Sequence, residues 1–593
     1  MENGKLQQSG YDTVSFPENE DLQQIASITG KRFDSVLIFS NATGSKEVLR
    51  HIEEYGQLLD LNGNITITLP VSVFSEFTEN DWDSFLLHSE WIVYHYGTLN
   101  MDNAPHSLHG IVVVRKNYNP IKHARQQFEL DQPWYAITLL DEIPDKFISK
   151  NDDWSFLAMI SMEKQRYYLK WQELFKGLIP EHTFFTQERS EFGLVTSICL
   201  DCSESYRLHS RFWSSLNRDD MAIRVLQSIE HVSPDPRTKH LLQILVQNKK
   251  PLHNSIETDS TIIEPHEYKK LPRILVICHD YSDYGLDTLY HGLCTVLGKE
   301  NVVEFPWKPT LHGCDPHLAS GYPCLFNYPG EALSVDNLVT QLKSGCFDLV
   351  LYADVIKMER HDDVRRLITA SADLPLVLYD TWDSCYTPLD LVYSYIGEKG
   401  FSQIFKRELL QGIQYEGEPI SLPFGYPESF CQSQDSFAAE DKASVFWAGK
   451  REYGLRPLYL RRLESLLGQS FDVRYDQETY KQKLRSSLIG LSFFGYGFDT
   501  VRYWELPANG VMLMAERLPI QIPNNFVDGE SAVFFDTVAE MEEKLEYYLK
   551  KPEAARQIAI KGHEHYLKYH TSTARARRFL GAVKFGYVRS PVS

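Results

Sequence analysis

The chain has 593 residues, a formal net charge of −20 and a hydrophobic content of 43%, the balance of a globular protein long enough for three or four domains. An acidic excess of that size excludes a general nucleic-acid binder, because a phosphate backbone is met by a basic face. No apolar run approaches the ~20 residues that span a bilayer, and the opening MENGKLQQSG lacks the apolar centre of a signal peptide, so a cytoplasmic location is expected.

Residues 1–30 are polar and without period, and read as a flexible tail. From Ser35 to Ser40 a buried-strand run leads through NATGS into an amphipathic stretch, Lys46 to Leu59. Further apolar runs follow at Ile65 to Leu69, Trp91 to Tyr96 and Ile111 to Val114. Strands alternating with helical stretches predict a small Rossmann-like α/β domain over 31–150, with a largely parallel sheet. NATGS is a glycine turn without a phosphate-loop fingerprint.

The period changes at Asp152. Phe156, Ile160, Tyr167, Trp171, Leu174 and Leu178 recur at helical spacing until Gly177 and Pro180 end the run. Shorter helices are predicted near Glu204–Leu216, Asp219–Glu230 and Arg237–Gln247. Paired helices with a proline turn resemble tetratricopeptide-like repeats in form, but no fixed repeat length emerges. Residues 151–250 therefore read as a helical connector whose surface could dock a protein partner. The polar, aperiodic stretch 251–272 reads as a linker. Nine cysteines, from Cys199 to Cys431, suit reduced thiols better than a disulfide framework. Cys199 and Cys202 form one C-x-x-C without a second pair at zinc spacing, so no metal is expected.

The second half opens on Arg273–Cys278, a buried strand ending in His279-Asp-Tyr-Ser-Asp283-Tyr-Gly285. Later strands end at Asp354 and at Asp380-Thr-Trp-Asp383. After Ala443–Ala448 come Gly449, Lys450 and Arg451, then a helix carrying Arg456, Arg461 and Arg462. Next, the buried run Leu488–Phe494 enters a loop with Gly495 and Gly497. Asp499 or Thr500 can cap a short helix carrying Arg502 and Glu505, and Asn509-Gly510 turns the chain into a strand at Val511–Met514. A loop at a strand's carboxyl end offers backbone N–H groups to a phosphate. Glu505, one to two turns into the helix, is spaced to accept from two ribose hydroxyls; the competing reading is a local ion pair with Arg502.

The run TVRYWELPANGVMLM from Thr500 to Met514, the pair Gly529-Glu530, the Y-Y-L at Tyr547 and the YHTSTAR from Tyr569 to Arg575 resemble the carboxyl-terminal half of CgeB-type glycosyltransferases of the GT-B fold, over about residues 440–580. The resemblance implies an α/β architecture of two facing Rossmann-like lobes. An acceptor lobe would occupy 273–435, closed by a segment like Ile420–Pro427, and a nucleotide-sugar donor lobe 436–593. Gly449, Lys450, Arg456, Tyr496, Thr500, Arg502, Glu505, Asn509 and Gly510 would then bind the donor, with Lys450 and Arg456 on its diphosphate. Retaining enzymes of this fold often carry two glutamates separated by seven intervening residues; Glu505 matches the second, but Gly497 stands at the first. A base for an inverting reaction would come from a first-lobe strand end, with His279, Asp283 and Asp380 as candidates. The function implied is sugar transfer from a nucleotide-sugar to a protein or glycan acceptor, without a cofactor. The alternatives are a nucleotide-sugar epimerase of the same fold and a non-catalytic sugar- or nucleotide-binding scaffold.

Overall fold

The computed structural model describes residues 33–39, 45–56, 59–68, 81–82, 91–99, 108–115, 120–141, 154–176, 178, 180, 182–248, 270–313, 324–397, 399–433 and 444–583. The expected tail, most of the NATGS loop and most of the 251–272 linker lie outside the described residues. The chain divides into two compact units, Met1–Ile160 and Ser161–Ser593.

In the first unit, β1 (Phe33–Phe39), β2 (Leu59–Thr68), β3 (Trp91–Leu99) and β4 (Leu108–Arg115) form one sheet in the order β1-β2-β4-β3. The helix Ser45–Gly56 makes the crossover between parallel β1 and β2, and buries Val48 and Ile52, four apart on one face. The pairs β2–β4 and β3–β4 are antiparallel. The largely parallel sheet expected here is thus corrected to a mixed one. The physical reason is the connection: residues 100–107 between β3 and β4 are too few for the crossover that parallel strands require.

In the second unit a six-stranded sheet is built from β5 (Ile274–Ile277), β6 (Val302–Phe305), β7 (Leu349–Tyr352), β8 (Leu376–Asp380), β9 (Gln403–Lys406) and β10 (Ile420–Ser421). Its order is β10-β9-β8-β7-β5-β6, all parallel. Alternate residues feed opposite faces, as the pleat demands. Ile274, Val276, Leu349, Leu351 and Val377 enter one core, and Leu275, Ile277, Val350, Tyr352 and Leu378 the other. A sheet covered on both faces explains why these strands read as unbroken apolar runs. The order reverses between β5 and β7, so a crevice opens at their carboxyl ends, beside His279–Asp283 and Asp354.

A second parallel sheet follows, β11 (Ser444–Phe446), β12 (Ser487–Ser492), β13 (Met512–Glu516) and β14 (Val533–Phe535), in chain order. The two parallel-sheet lobes expected from the sequence are therefore present. The last helix, Ser572–Ala582, was assigned by sequence to the second lobe but packs on the first. Its Ala576, Phe579 and Leu580 complete the core under the Tyr284–Leu297 helix. The crossing is so close that a Cβ on Gly292 would lie 2.0 Å from the Ser572 carbonyl oxygen. Helix propensity alone makes Gly292→Ala favourable by up to about 1 kcal/mol. Backbone overlap reverses the sign, and a net loss of about 3 kcal/mol is expected, measurable by chemical denaturation. A stabilised variant would contradict the placement of the last helix.

The helices Phe185–Ile198, Ser203–Ser215 and Asp219–Val232 are packed into the same unit as the lobes. Arg218 donates to the carbonyls of Gln411, 3.1 Å away in the first lobe, and Pro519, 3.2 Å away in the second. Arg224 pairs with Asp536 at 2.9 Å. What reads in the sequence as a connector is bonded to both lobes. Phe185–Ile198 escaped the sequence reading because TQERSEFGLVTSI has no clear apolar stripe and carries Gly193.

Candidate functional site

The adjacent parallel strands β11 and β12 bring the loops at their carboxyl ends, 447–455 and 493–500, side by side. Two guanidinium groups tie these loops together. Arg456 donates to the carbonyl oxygens of Lys450 at 2.8 Å and Phe493 at 3.0 Å, and Arg502 donates to that of Ala448 at 2.7 Å. A Cβ on Gly449, whose φ is +154°, would lie 2.5 Å from Arg502 Nη2, so glycine is needed for the approach. Burial, together with the like charge of Arg502, draws the Arg456 pKa down to about 9. Arg456 is thus held in the wall of the site, whereas Lys450 is exposed and makes no ion pair among the described residues.

Thr500 takes the N-cap position of the helix Val501–Ala508, but its hydroxyl meets Ser492 Oγ at 3.0 Å rather than capping the helix. Asp499 does not cap either. It accepts from the Phe424 amide at 2.8 Å and Trp504 Nε1 at 2.6 Å, and burial pushes its pKa up to about 7. The glycine-loop amides expected to be free are partly engaged: those of Phe498 and Asp499 donate to Glu408 at 2.9 and 3.0 Å. At the helix start the Tyr503 amide donates to the Thr500 carbonyl at 3.0 Å, while those of Val501 and Arg502 have no intrahelical acceptor by geometry.

Glu505 is buried, with 2% exposure, and burial raises its pKa. Tyr480 donates to Oε2 at 2.7 Å, while Tyr426 reaches Oε1 only at 3.4 Å. No ion pair joins Glu505 to Arg502 among the described residues; Arg502 is turned toward Ala448 instead. Asn509 and Gly510 serve the turn. The Asn509 side chain donates to the Glu505 carbonyl at 2.9 Å and accepts from Arg485 at 3.0 Å, and Gly510 has φ +65°. Tyr496 is 37% exposed at the tip of the glycine loop.

The three first-lobe candidates are all engaged internally. Asp283 caps its helix through the amides of Gly285 and Leu286, and its other oxygen takes His279 at 3.0 Å and the Thr381 hydroxyl. Burial would raise its pKa, but these partners outweigh it and hold the carboxyl well below the usual range, which makes a weak base. The His279 Nδ1 lies 3.1 Å from the Tyr281 carbonyl and 3.4 Å from Lys308 Nζ. Asp380 is fully buried on Lys406 at 2.6 Å. Past it, Asp383 pairs with Arg407 while its side chain remains 43% exposed.

Asp383 and Glu408 come close to the position where the sequence lacked a carboxylate. A Cβ on Gly497 would lie 2.4 Å from Glu408 Oε1 and 2.6 Å from Asp383 Oδ1. Sequence reasoning missed both, along with Arg189, Tyr426 and Tyr480. The available signal was the charged run Lys406-Arg407-Glu408 at the end of a buried strand. Among the described residues, no group of His, Cys, Asp or Glu is arranged to hold a metal, and no helix is long and apolar enough to cross a membrane.

Beneath the glycine loop, Glu516 accepts from the Phe494 amide at 2.9 Å, and burial pushes its pKa up to about 7. A carboxyl whose pKa is raised by folding stabilises the protein fully below its unfolded value, near pH 4. That contribution is lost as pH climbs toward 7. Glu516→Gln removes the titration, so the variant's melting temperature is expected to gain on the wild type between pH 5 and pH 8. A pH-independent difference in thermal melts would contradict the assignment.

Residues 449–581 match the family described as "Glycosyl transferase-like". The match takes in most of the two loops, the Glu505 helix and most of the last helix. Among solved structures, HepE of Anabaena in complex with UDP and glucose is 10% identical with a TM-score of 0.31, over 52% of this chain and 98% of that one. Sucrose-phosphate synthase of Thermosynechococcus elongatus is 11% identical with a TM-score of 0.31, over 52% and 97%. An O-GlcNAc transferase mutant of Thermobaculum terrenum is 10% identical with a TM-score of 0.28, over 78% and 96%. Likenesses this small carry nothing about activity. No curated protein matches the chain by sequence.

Proposed function

We propose that the second unit is a nucleotide-sugar-dependent glycosyltransferase of the GT-B kind, with the donor between the β11 and β12 strand ends and Glu505. The observation that carries this reading is the Glu505 carboxylate inside the family-matched segment, with one oxygen firmly bonded and the other only loosely. A ribose diol supplies the donors that oxygen lacks. Exposed Lys450, Arg502 and the Val501 and Arg502 amides at the start of the Val501–Ala508 helix then face the diphosphate, where positive charge stabilises the leaving group as the sugar departs. The acceptor, a protein or a glycan, approaches from the first lobe, and Asp383 takes its proton. Of the carboxylates at that lobe's strand ends that adjoin the glycine loop, Asp383 is the one with open surface, while Glu408 is fully buried. A thermal-shift screen of UDP-, GDP- and CMP-sugars tests the reading, since a ligand of the native state raises the melting temperature. One nucleotide class is expected to stabilise the protein at micromolar concentration. No shift with any of the three would overturn the proposal.

A further inference from the structure

The helix Phe185–Ile198 meets both loops of the proposed donor site. Arg189 projects from it with 6% exposure. Its guanidinium donates to the carbonyl oxygens of Gly495 at 2.6 Å and Tyr496 at 2.9 Å, and reaches that of Gly497 at 3.5 Å. Its Cζ lies 3.9 Å from the centre of the Phe498 ring. One turn along, Gly193 sits against the other loop, where a Cβ would lie 2.9 Å from the Gly454 amide nitrogen. Thr196 donates to the Gly454 carbonyl at 2.9 Å.

A loop with two glycines has many accessible backbone conformations, and freezing it has an entropic cost. A planar, rigid fork that meets successive carbonyls selects one conformation among them, which a lysine ammonium with its point charge does not do equally well. With its carbonyls turned to Arg189, the loop directs the Phe498 and Asp499 amides to Glu408, and the Gly495 amide closes on the Gly497 carbonyl at 2.8 Å. Burial lowers the Arg189 pKa, an effect opposed by Glu408, Glu516 and Asp383 around it.

We propose that Arg189 is a positioning residue of the donor site, through which the helical segment sets the conformation of the 494–500 loop for nucleotide binding. This rests on the donor assignment above. Arg189 itself touches no reacting atom; it acts through the loop that carries Tyr496 and leads into the Glu505 helix.

The test compares wild type, Arg189→Lys and Arg189→Ala with a control on the same helix, Glu191→Gln, whose native partner is Lys164 at 3.3 Å. UDP, GDP and CMP affinities are measured by calorimetry, donor KM and kcat are measured separately, and hydrogen exchange follows the amides of 494–500. Arg189→Lys is expected to stay folded, to weaken nucleotide binding by about tenfold or more, to raise KM more than it lowers kcat, and to speed exchange at Gly495. The control is expected to match wild type in all of these. If Arg189→Ala fails to fold, the lysine variant still decides. An Arg189→Lys variant with wild-type affinity and wild-type exchange would overturn the positioning role while leaving the donor assignment intact. A wild type that binds none of UDP, GDP and CMP would overturn the donor assignment, and this role with it.

Discussion

Glu505→Gln is expected to weaken nucleotide binding roughly 10- to 100-fold while leaving the fold intact. The glutamine keeps the shape and still accepts from Tyr480, which now holds Oε2 at 2.7 Å. What it loses is the second acceptor, the oxygen that Tyr426 approaches only at 3.4 Å. An ionised carboxylate with 2% exposure and one loosely bonded oxygen is poorly compensated, and a ribose diol completes it. The diagnostic comparison is between a ribonucleotide and its 2′-deoxy form. Wild type should prefer the former, and the variant should lose most of that preference. Because burial raises the Glu505 pKa and ribose hydroxyls favour the charged form, wild-type affinity should also rise with pH as the carboxyl ionises, and the variant's should not. An unchanged ribose preference in titrations of the variant would remove Glu505 from the site.

Asp383→Asn is expected to lower kcat by about 10²- to 10⁴-fold, the range typical for loss of a general base, with nucleotide affinity unchanged. The asparagine still accepts from Arg407, which also donates to the Asp499 carbonyl at 3.0 Å and stacks 4.3 Å over Phe424. The loop should therefore keep its place. A kcat near the wild-type value in steady-state assays would show that no proton passes through Asp383.

The parallel lobes were legible because strands buried on both faces leave unbroken apolar runs, as at Ile274–Ile277 and Leu488–Leu491. The Thr500–Met514 helix-turn-strand stretch was legible because its turn residues stand at fixed offsets. What was not legible depends on contacts between distant segments. Arg189 is 306 positions from the carbonyl it bonds most closely, and Glu408 is 90 from the Phe498 amide; neither lies in a local pattern. Asp283 looked free because spacing shows an N-cap and a base alike, and only the bonds to Gly285, Leu286, His279 and Thr381 separate them. Arg456 looked like a phosphate contact because its carbonyl partners, Lys450 and Phe493, come together only when β11 pairs with β12.

In the proposed function, the Glu505 and glycine-loop site breaks a sugar–phosphate bond. That step is tested by incubating the nucleotide-sugar class that binds with wild type, Glu505→Gln and Asp383→Asn, and following the released nucleotide. Slow release by wild type without an acceptor is expected, through water taking the acceptor's place, with much less from either variant. A wild type that binds the nucleotide-sugar and returns it intact, or with only its sugar altered, would contradict it.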